Sequence, residues 1–308
     1  MGISNAKNMK FATIEYKKEV SGALYLKNGF IPMEDLNEAF GTTWPTDFFS
    51  ILTLSQFDEF LVWYNANYSE ICDIFGEKVL KIEDVSLKPL YEHPRKIWGI
   101  GLNYRDHAED LAEKVPTGIP ASFMKSDTTI IGYGDTIKIP VQSMRTTGEA
   151  ELGLIIKKQC KNLAKEDWKT ALAGYTTTID MTAEDILAQN PRYLTVSKNF
   201  DTFFSFGPIF YSWDEIDNPN ELSVATVKNG KVHAENRVAN MTFPPDFLIS
   251  FHSEVMTLLP GDIISTGTPR AVKLEDGDEV ECRITGFFPL KNSVQDLKKS
   301  KKNEGVKM

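Results

Sequence analysis

From Lys96 onward the chain is a succession of short β-rich runs separated by glycine turns: KIWGIGLNY, TIIGYGDTIKIP, GEAELGLII, GYTTTIDMT, SVATVKNGKV, GDIISTGTP and DEVECRITGFFPL. Each run is dense in β-branched and aromatic residues, and Lys228-Asn229-Gly230-Lys231 is a hairpin signal. Runs at this spacing suit a β-rich sandwich or barrel, an α+β chain rather than alternating βαβ units. Helical patterns interrupt over 165–173, 182–189 and 245–254. Residues 9 to about 90 read as a smaller α+β unit. Strands are expected over 9–16 and 23–33, the second carrying the hairpin signal Lys27-Asn28-Gly29-Phe30. A helix is expected over 47–65, where Phe48, Ile51, Leu52, Phe57, Phe60, Leu61 and Tyr64 recur at helical spacing. None of these suggests chemistry, so the unit reads as a packing or dimerisation appendage. The expected organisation is a small domain over 1–90, a β-rich domain over 91–292 and a lysine-rich flexible tail over 293–308.

GEAELGLII raises an electrostatic question. In a strand, side chains alternate between faces, so Glu149 and Glu151 project together while Ala150, Leu152 and Leu154 line the other side. A hard divalent cation such as Mg²⁺ or Mn²⁺ resolves their repulsion, since it prefers oxygen donors and both carboxylates can reach it. Asp180, at the end of the strand-like run GYTTTID, is placed to complete a triad. Two exposed glutamates on a solvated face are the competing reading of the bare pattern. His107 sits in NYRDHAED among other reactive side chains, with an imidazole suited to general-base work and Asp110 three residues on. Lys198, in SKNFD, and the turn GDIISTGTP, with Gly267 and Thr268, are candidates for holding an anion.

Composition limits the partners. With 43 acidic and 34 basic residues the net charge is −9, which argues against a nucleic-acid surface. A small anionic substrate then needs local positive charge or a bound cation. Three widely spaced cysteines form no CxxC pair, in keeping with reduced thiols in a cytoplasmic protein. The N-terminus carries no signal-peptide pattern and no apolar run of about 18 residues occurs, so no membrane partner is expected. Gly99-Ile100-Gly101 lacks the third glycine of a dinucleotide fingerprint, and Walker A, HExxH and GxSxG patterns do not occur.

In their order, GLNYRDHA, GYGDTI, GEAELGLII, GYTTTIDMTAEDI, KNFDTF, NGKV, MTLLPGDIISTGTP and the final ITGF resemble the fumarylacetoacetate hydrolase family over about residues 96–292. The resemblance implies a mixed β-sandwich roll, a homodimer, and Mg²⁺ or Mn²⁺ held by Glu149, Glu151 and Asp180. It implies His107 with Asp110 (or Glu109) as the water-activating pair and Lys198 as a catalytic lysine. Lys125, Gly267 and Thr268 are implied as substrate-binding residues. The glycine- and proline-flanked stretch over 109–120 reads as a loop that closes over the substrate. The substrate class is a 2-oxo acid that chelates the metal. A Lewis acid there stabilises the enolate formed when the adjacent bond breaks. Loss of an acyl group is hydrolysis, loss of CO₂ decarboxylation, and transfer of a proton tautomerisation. Of these, hydrolysis or decarboxylation of an acylpyruvate- or oxaloacetate-like acid is the activity expected. An isomerase of hydroxymuconate-type diacids and a weakly active metal-binding scaffold are the alternatives. Two departures stand out: Asp110 replaces the family's usual glutamate, and Glu184 replaces an arginine.

Overall fold

The computed structural model describes residues 9–27, 29–104 and 118–299. Its strands, in chain order, are β1 (Lys10–Tyr16), β2 (Glu19–Leu26), β3 (Gly29–Pro32), β4 (Ser86–Lys88), β5 (Ile97–Gly101) and β6 (Ala121–Lys125). There follow β7 (Ile130–Ile131), β8 (Thr136–Ile139), β9 (Thr146–Ile156), β10 (Leu172–Ala183), β11 (Phe204–Phe206) and β12 (Ile209–Ser212). The last six are β13 (Ser223–Lys228), β14 (Lys231–Arg237), β15 (Ile263–Ser265), β16 (Val272–Lys273), β17 (Glu279–Ile284) and β18 (Leu290–Asp296). The helices used below are α1 (Met33–Phe40), α2 (Phe48–Thr53), α3 (Phe57–Phe75), α4 (Trp168–Ala171), α5 (Glu184–Gln189), α6 (Leu194–Lys198) and α7 (Pro245–Val255).

Among the described residues the strands form two sheets. The larger runs β3-β2-β1-β12-β10-β9-β15-β5-β6 along its main path, and the smaller runs β14-β13-β17-β18-β8. At the centre of the larger sheet β9 and β10 pair antiparallel along almost their whole length. One face of this ladder, with Ala150, Leu152, Leu154, Tyr175 and Ile179, is buried in a core shared with Val224, Val280, Cys282 and Leu290 of the smaller sheet and Leu248 of α7. The strand-rich sandwich read from the sequence is thus the observed architecture.

The N-terminal segment does not form a sheet of its own. β1 pairs with β12 through Lys10↔Tyr211 to Ala12↔Ile209, so β1–β3 extend the central sheet. Its helices lay Phe48, Ile51, Phe57 and Phe60 against Ile155, Ala173, Phe204, Phe206, Phe210 and Ile263, the second face of the same sheet.

Three expected helices are corrected. The helix expected over 47–65 is two helices, because Ser55 takes φ 59° and turns the chain between α2 and α3. Asp47 starts the first by accepting the Ser50 amide at 2.8 Å. Over 165–173 a 3-10 turn (Lys165–Asp167) runs into the short α4, and the helical stretch ends at Ala171 because β10 takes Leu172 into the sheet. The helix expected from residue 182 begins at Glu184, since Thr182 and Ala183 still pair with Thr147 and Thr146. The flexible tail is also corrected at its start. Residues up to Asp296 belong to β18, which runs parallel to β8 and buries Val294. The hairpin at Asn229-Gly230 forms as expected, joining β13 to β14.

Candidate metal centre

Register builds the site. In the β9–β10 ladder Glu149 lies opposite Asp180 and Glu151 opposite Thr178. Residues directly opposite in an antiparallel pair share a face and stand close together. The strand period therefore puts all three carboxylates on one side, away from Ala150 and Ile179 in the core. One carboxylate oxygen from each of Glu149, Glu151 and Asp180 lies within 4.8 Å of the others. Glu151 and Asp180 are buried and Glu149 nearly so.

Each carboxylate is held. The Gly267 amide donates to Glu151 Oε2 at 2.8 Å. The Thr182 hydroxyl donates to Glu149 Oε1 at 3.1 Å. Lys198 Nζ lies 2.5 Å from Asp180 Oδ2 and 3.0 Å from Glu149 Oε2. Lys125 Nζ makes a charge contact of 2.6 Å with Asp180 Oδ1. Both lysines are buried, and the ring of Phe123 lies 4.4 Å from the Lys198 ammonium.

Three carboxylates and two ammoniums leave the cluster short of positive charge, and its protonation reflects this. Burial, together with the charges of Asp180 and Glu149, pushes Glu151 up to about 8. For Asp180 burial acts in the same direction, but the neighbouring Lys125 and Lys198 outweigh it and hold its carboxyl below the ordinary range. Burial lowers Lys125 to about 8. Burial also acts against the charge of Lys198, yet Asp180 and Glu149 hold it above the ordinary lysine range.

The donor set fits a hard divalent cation. It is all oxygen, contributed by three carboxylates held within reach of one another.

The structure brings together six of the sequence-derived candidates: Glu149, Glu151, Asp180, Lys125, Lys198 and Gly267. The amide of Gly267 is engaged by Glu151, so its contact is with a carboxylate of the chain itself. Thr268 is buried, but its hydroxyl meets Arg270 O at 3.3 Å and Thr226 Oγ1 at 3.5 Å, toward the smaller sheet. His107, Asp110 and Glu109, and residues 109–117 of the closing loop expected over 109–120, lie outside the described residues. Glu184, where the family pattern has arginine, hydrogen-bonds the Arg145 guanidinium from the neighbouring strand end.

Two supporting residues were missed. Thr182 shares the face of Asp180 by the same period of two, a signal available in the sequence. Asn103 is fully buried, and its amide donates to Thr266 O at 2.7 Å and Phe243 O at 2.9 Å. It braces the turn that presents Gly267, which adopts φ 98°. A Cβ at position 267 would stand 2.8 Å from that of Asn103, so glycine is required there.

Comparison with known proteins decides the family. Residues 96–295 match the family model described as fumarylacetoacetate (FAA) hydrolase C-terminal. The chain belongs to the fumarylacetoacetate hydrolase family. It is 34% identical over 209 residues to the mitochondrial oxaloacetate tautomerase Fahd2a of Rattus norvegicus, covering 65% of this chain and 66% of that protein. It is similar in structure to 5-carboxymethyl-2-hydroxymuconate delta-isomerase from Mycobacterium smegmatis, with TM-score 0.68 at 25% identity over 94% of this chain and 99% of that one. It also shares its fold with maleylpyruvate hydrolase from Sphingobium sp. SYK-6, solved with manganese(II) and pyruvate (TM-score 0.72, 23% identity, 94% and 99% covered). The family thus holds tautomerases, isomerases and hydrolases. Because the structural matches cover 94% of the chain, the shared fold takes in most of the N-terminal segment as well.

Proposed function

We propose that the protein is a divalent-metal-dependent enzyme acting on a 2-oxo acid, and that its chemistry is proton transfer at the carbon beside the keto group, as in an oxaloacetate tautomerase. The observation that carries this reading is the buried cluster of Glu149, Glu151 and Asp180 with the ammonium groups of Lys125 and Lys198 upon it. Glu149, Glu151 and Asp180 would hold Mg²⁺ or Mn²⁺. When bound, such an ion supplies Lewis acidity at the keto oxygen and makes the adjacent C–H more acidic.

The remaining work falls to the chain. Lys198 offers an ammonium for the carboxylate of the acid, backed by the Phe123 ring. Lys125 is fixed by the carbonyls of Met181 (3.3 Å) and Lys198, and shapes the floor of the site. Gly267 and Thr182 set the carboxylate orientations, as partners of metal ligands commonly do. Support for tautomerisation over cleavage comes from two relatives at 34% identity, the mitochondrial oxaloacetate tautomerases of Rattus norvegicus and Xenopus laevis.

A second reading, hydrolysis of an acylpyruvate or maleylpyruvate-like acid, is favoured by the motif NYRDHAED, in which His107 with Asp110 would activate water. The two readings share the metal and the lysines and differ in whether a water base is used. A panel of oxaloacetate, acylpyruvates and hydroxymuconate-type diacids assayed with Mn²⁺ tests them. Fast keto–enol exchange of oxaloacetate with little acylpyruvate cleavage is expected. Turnover of none of these acids would overturn the proposal. In the hydrolytic reading, His107→Ala removes cleavage and spares proton exchange.

A further inference from the structure

The two lysines are held very differently. Lys125 Nζ donates to two backbone carbonyls, Met181 O and Lys198 O, besides its contact with Asp180. Among the described residues, Lys198 Nζ has only carboxylates for hydrogen-bond partners, Asp180 Oδ2 at 2.5 Å and Glu149 Oε2 at 3.0 Å, with the Phe123 ring beneath it. Two of the three carboxylates that can hold a cation are therefore bridged by a cation the chain itself supplies. An ammonium and a divalent ion on the same oxygens repel strongly inside a buried site. The lysine with no backbone anchor is the one able to yield.

We infer that Lys198 is an internal counter-cation that competes with the metal for Asp180 and Glu149, and that metal entry turns its ammonium from those carboxylates toward the substrate anion. This rests on the metal reading above and adds an order to it: metal first, acid second. Before the metal enters, Lys198 neutralises the carboxylates and is itself neutralised, so it offers little to an incoming anion. Afterwards it is the unpaired cation beside the ion, with the Phe123 face as its support. Lys125, pinned by its two carbonyls, stays with Asp180 throughout.

One variant gives two effects of opposite sign. In Lys198→Met the competitor is gone, so Mn²⁺ titrated by calorimetry binds about tenfold tighter than to the unaltered protein. Oxalate, added to each Mn²⁺-saturated protein as a probe anion, binds about tenfold more weakly to the variant. A lysine that only braces the fold would weaken both. If Lys198→Met is recovered only with Mn²⁺ present, its affinity is read by back-titration with a chelator of known strength, and Lys198→Gln serves as the second variant. Tighter Mn²⁺ with weaker oxalate supports the competition. Equal or weaker Mn²⁺ binding by both variants overturns it, whereas failure of the unaltered protein to bind Mn²⁺ at all overturns the metal reading beneath it.

Discussion

The two ends of the β9–β10 ladder share one sheet face and one backbone pairing, yet their side chains do opposite things. Toward Ile155 and Gly174 the face is covered by Phe48, Phe57, Phe60 and Phe210 and is closed by apolar packing. Toward Glu149 and Asp180, six residue pairs along, it carries three carboxylates, two buried and one nearly so, closed by two lysines. The apolar end gains stability from area removed from water, a non-directional effect that needs no matched partner. At the polar end every charge requires a specific counter-group, because an unpaired buried charge is costly. The N-terminal segment thus anchors the central strands at one end and leaves the other to chemistry, and that chemistry sits on strands buried from both sides.

The largest effect on this contrast is expected from Asp180→Ala. It removes a cation ligand and strands Lys125 and Lys198 without their shared partner. Turnover of 2-oxo acids should fall below detection and stability by roughly 3–5 kcal/mol, the usual cost of breaking a buried ion pair. Parallel denaturant melts and assays check both. Phe57→Ala, at the apolar end, should lose about 3–5 kcal/mol by the same melts while Mn²⁺ affinity per folded molecule stays unchanged. A large affinity change there would mean that the two ends are coupled. Gly267→Ala should cost about 1–3 kcal/mol for the positive φ. It should also weaken Mn²⁺ binding roughly 10–100-fold, because the donor that orients Glu151 moves. The smallest effect on stability is expected from Glu151→Gln. With its carboxyl pushed up to about 8, Glu151 is largely neutral at pH 7 in chelator-treated protein, and glutamine keeps the acceptor for Gly267. Melting in chelator should change by less than about 1 kcal/mol, while Mn²⁺ binding weakens. A large loss of stability in chelator would show that the charged form of Glu151 is the one the fold requires.

Legibility in the sequence followed the range of the interactions. The shared face of Glu149 and Glu151 follows from the period of two and needed no tertiary knowledge. Asp180 could be proposed from its strand-like run, but the register that sets it opposite Glu149 is a property of the folded pair. The meeting of Lys125 and Lys198 left no local trace, since the two lysines are 73 residues apart and come together only through the fold. For the same reason the continuity of β1 with β12, about two hundred residues away, could not be read from a segment whose own pattern suggested a separate unit. The break at Ser55 escaped because apolar spacing continues across it while one residue turns left-handed. Thr182, in contrast, was visible by the same rule that found the glutamates.

The most direct measurement is calorimetric titration of Mn²⁺ into the unaltered protein and into Glu149→Ala, each first stripped with a chelator. One ion should bind per chain in the unaltered protein, and binding should be lost in Glu149→Ala. The same affinity in both proteins would contradict the assignment of the cluster as the metal centre.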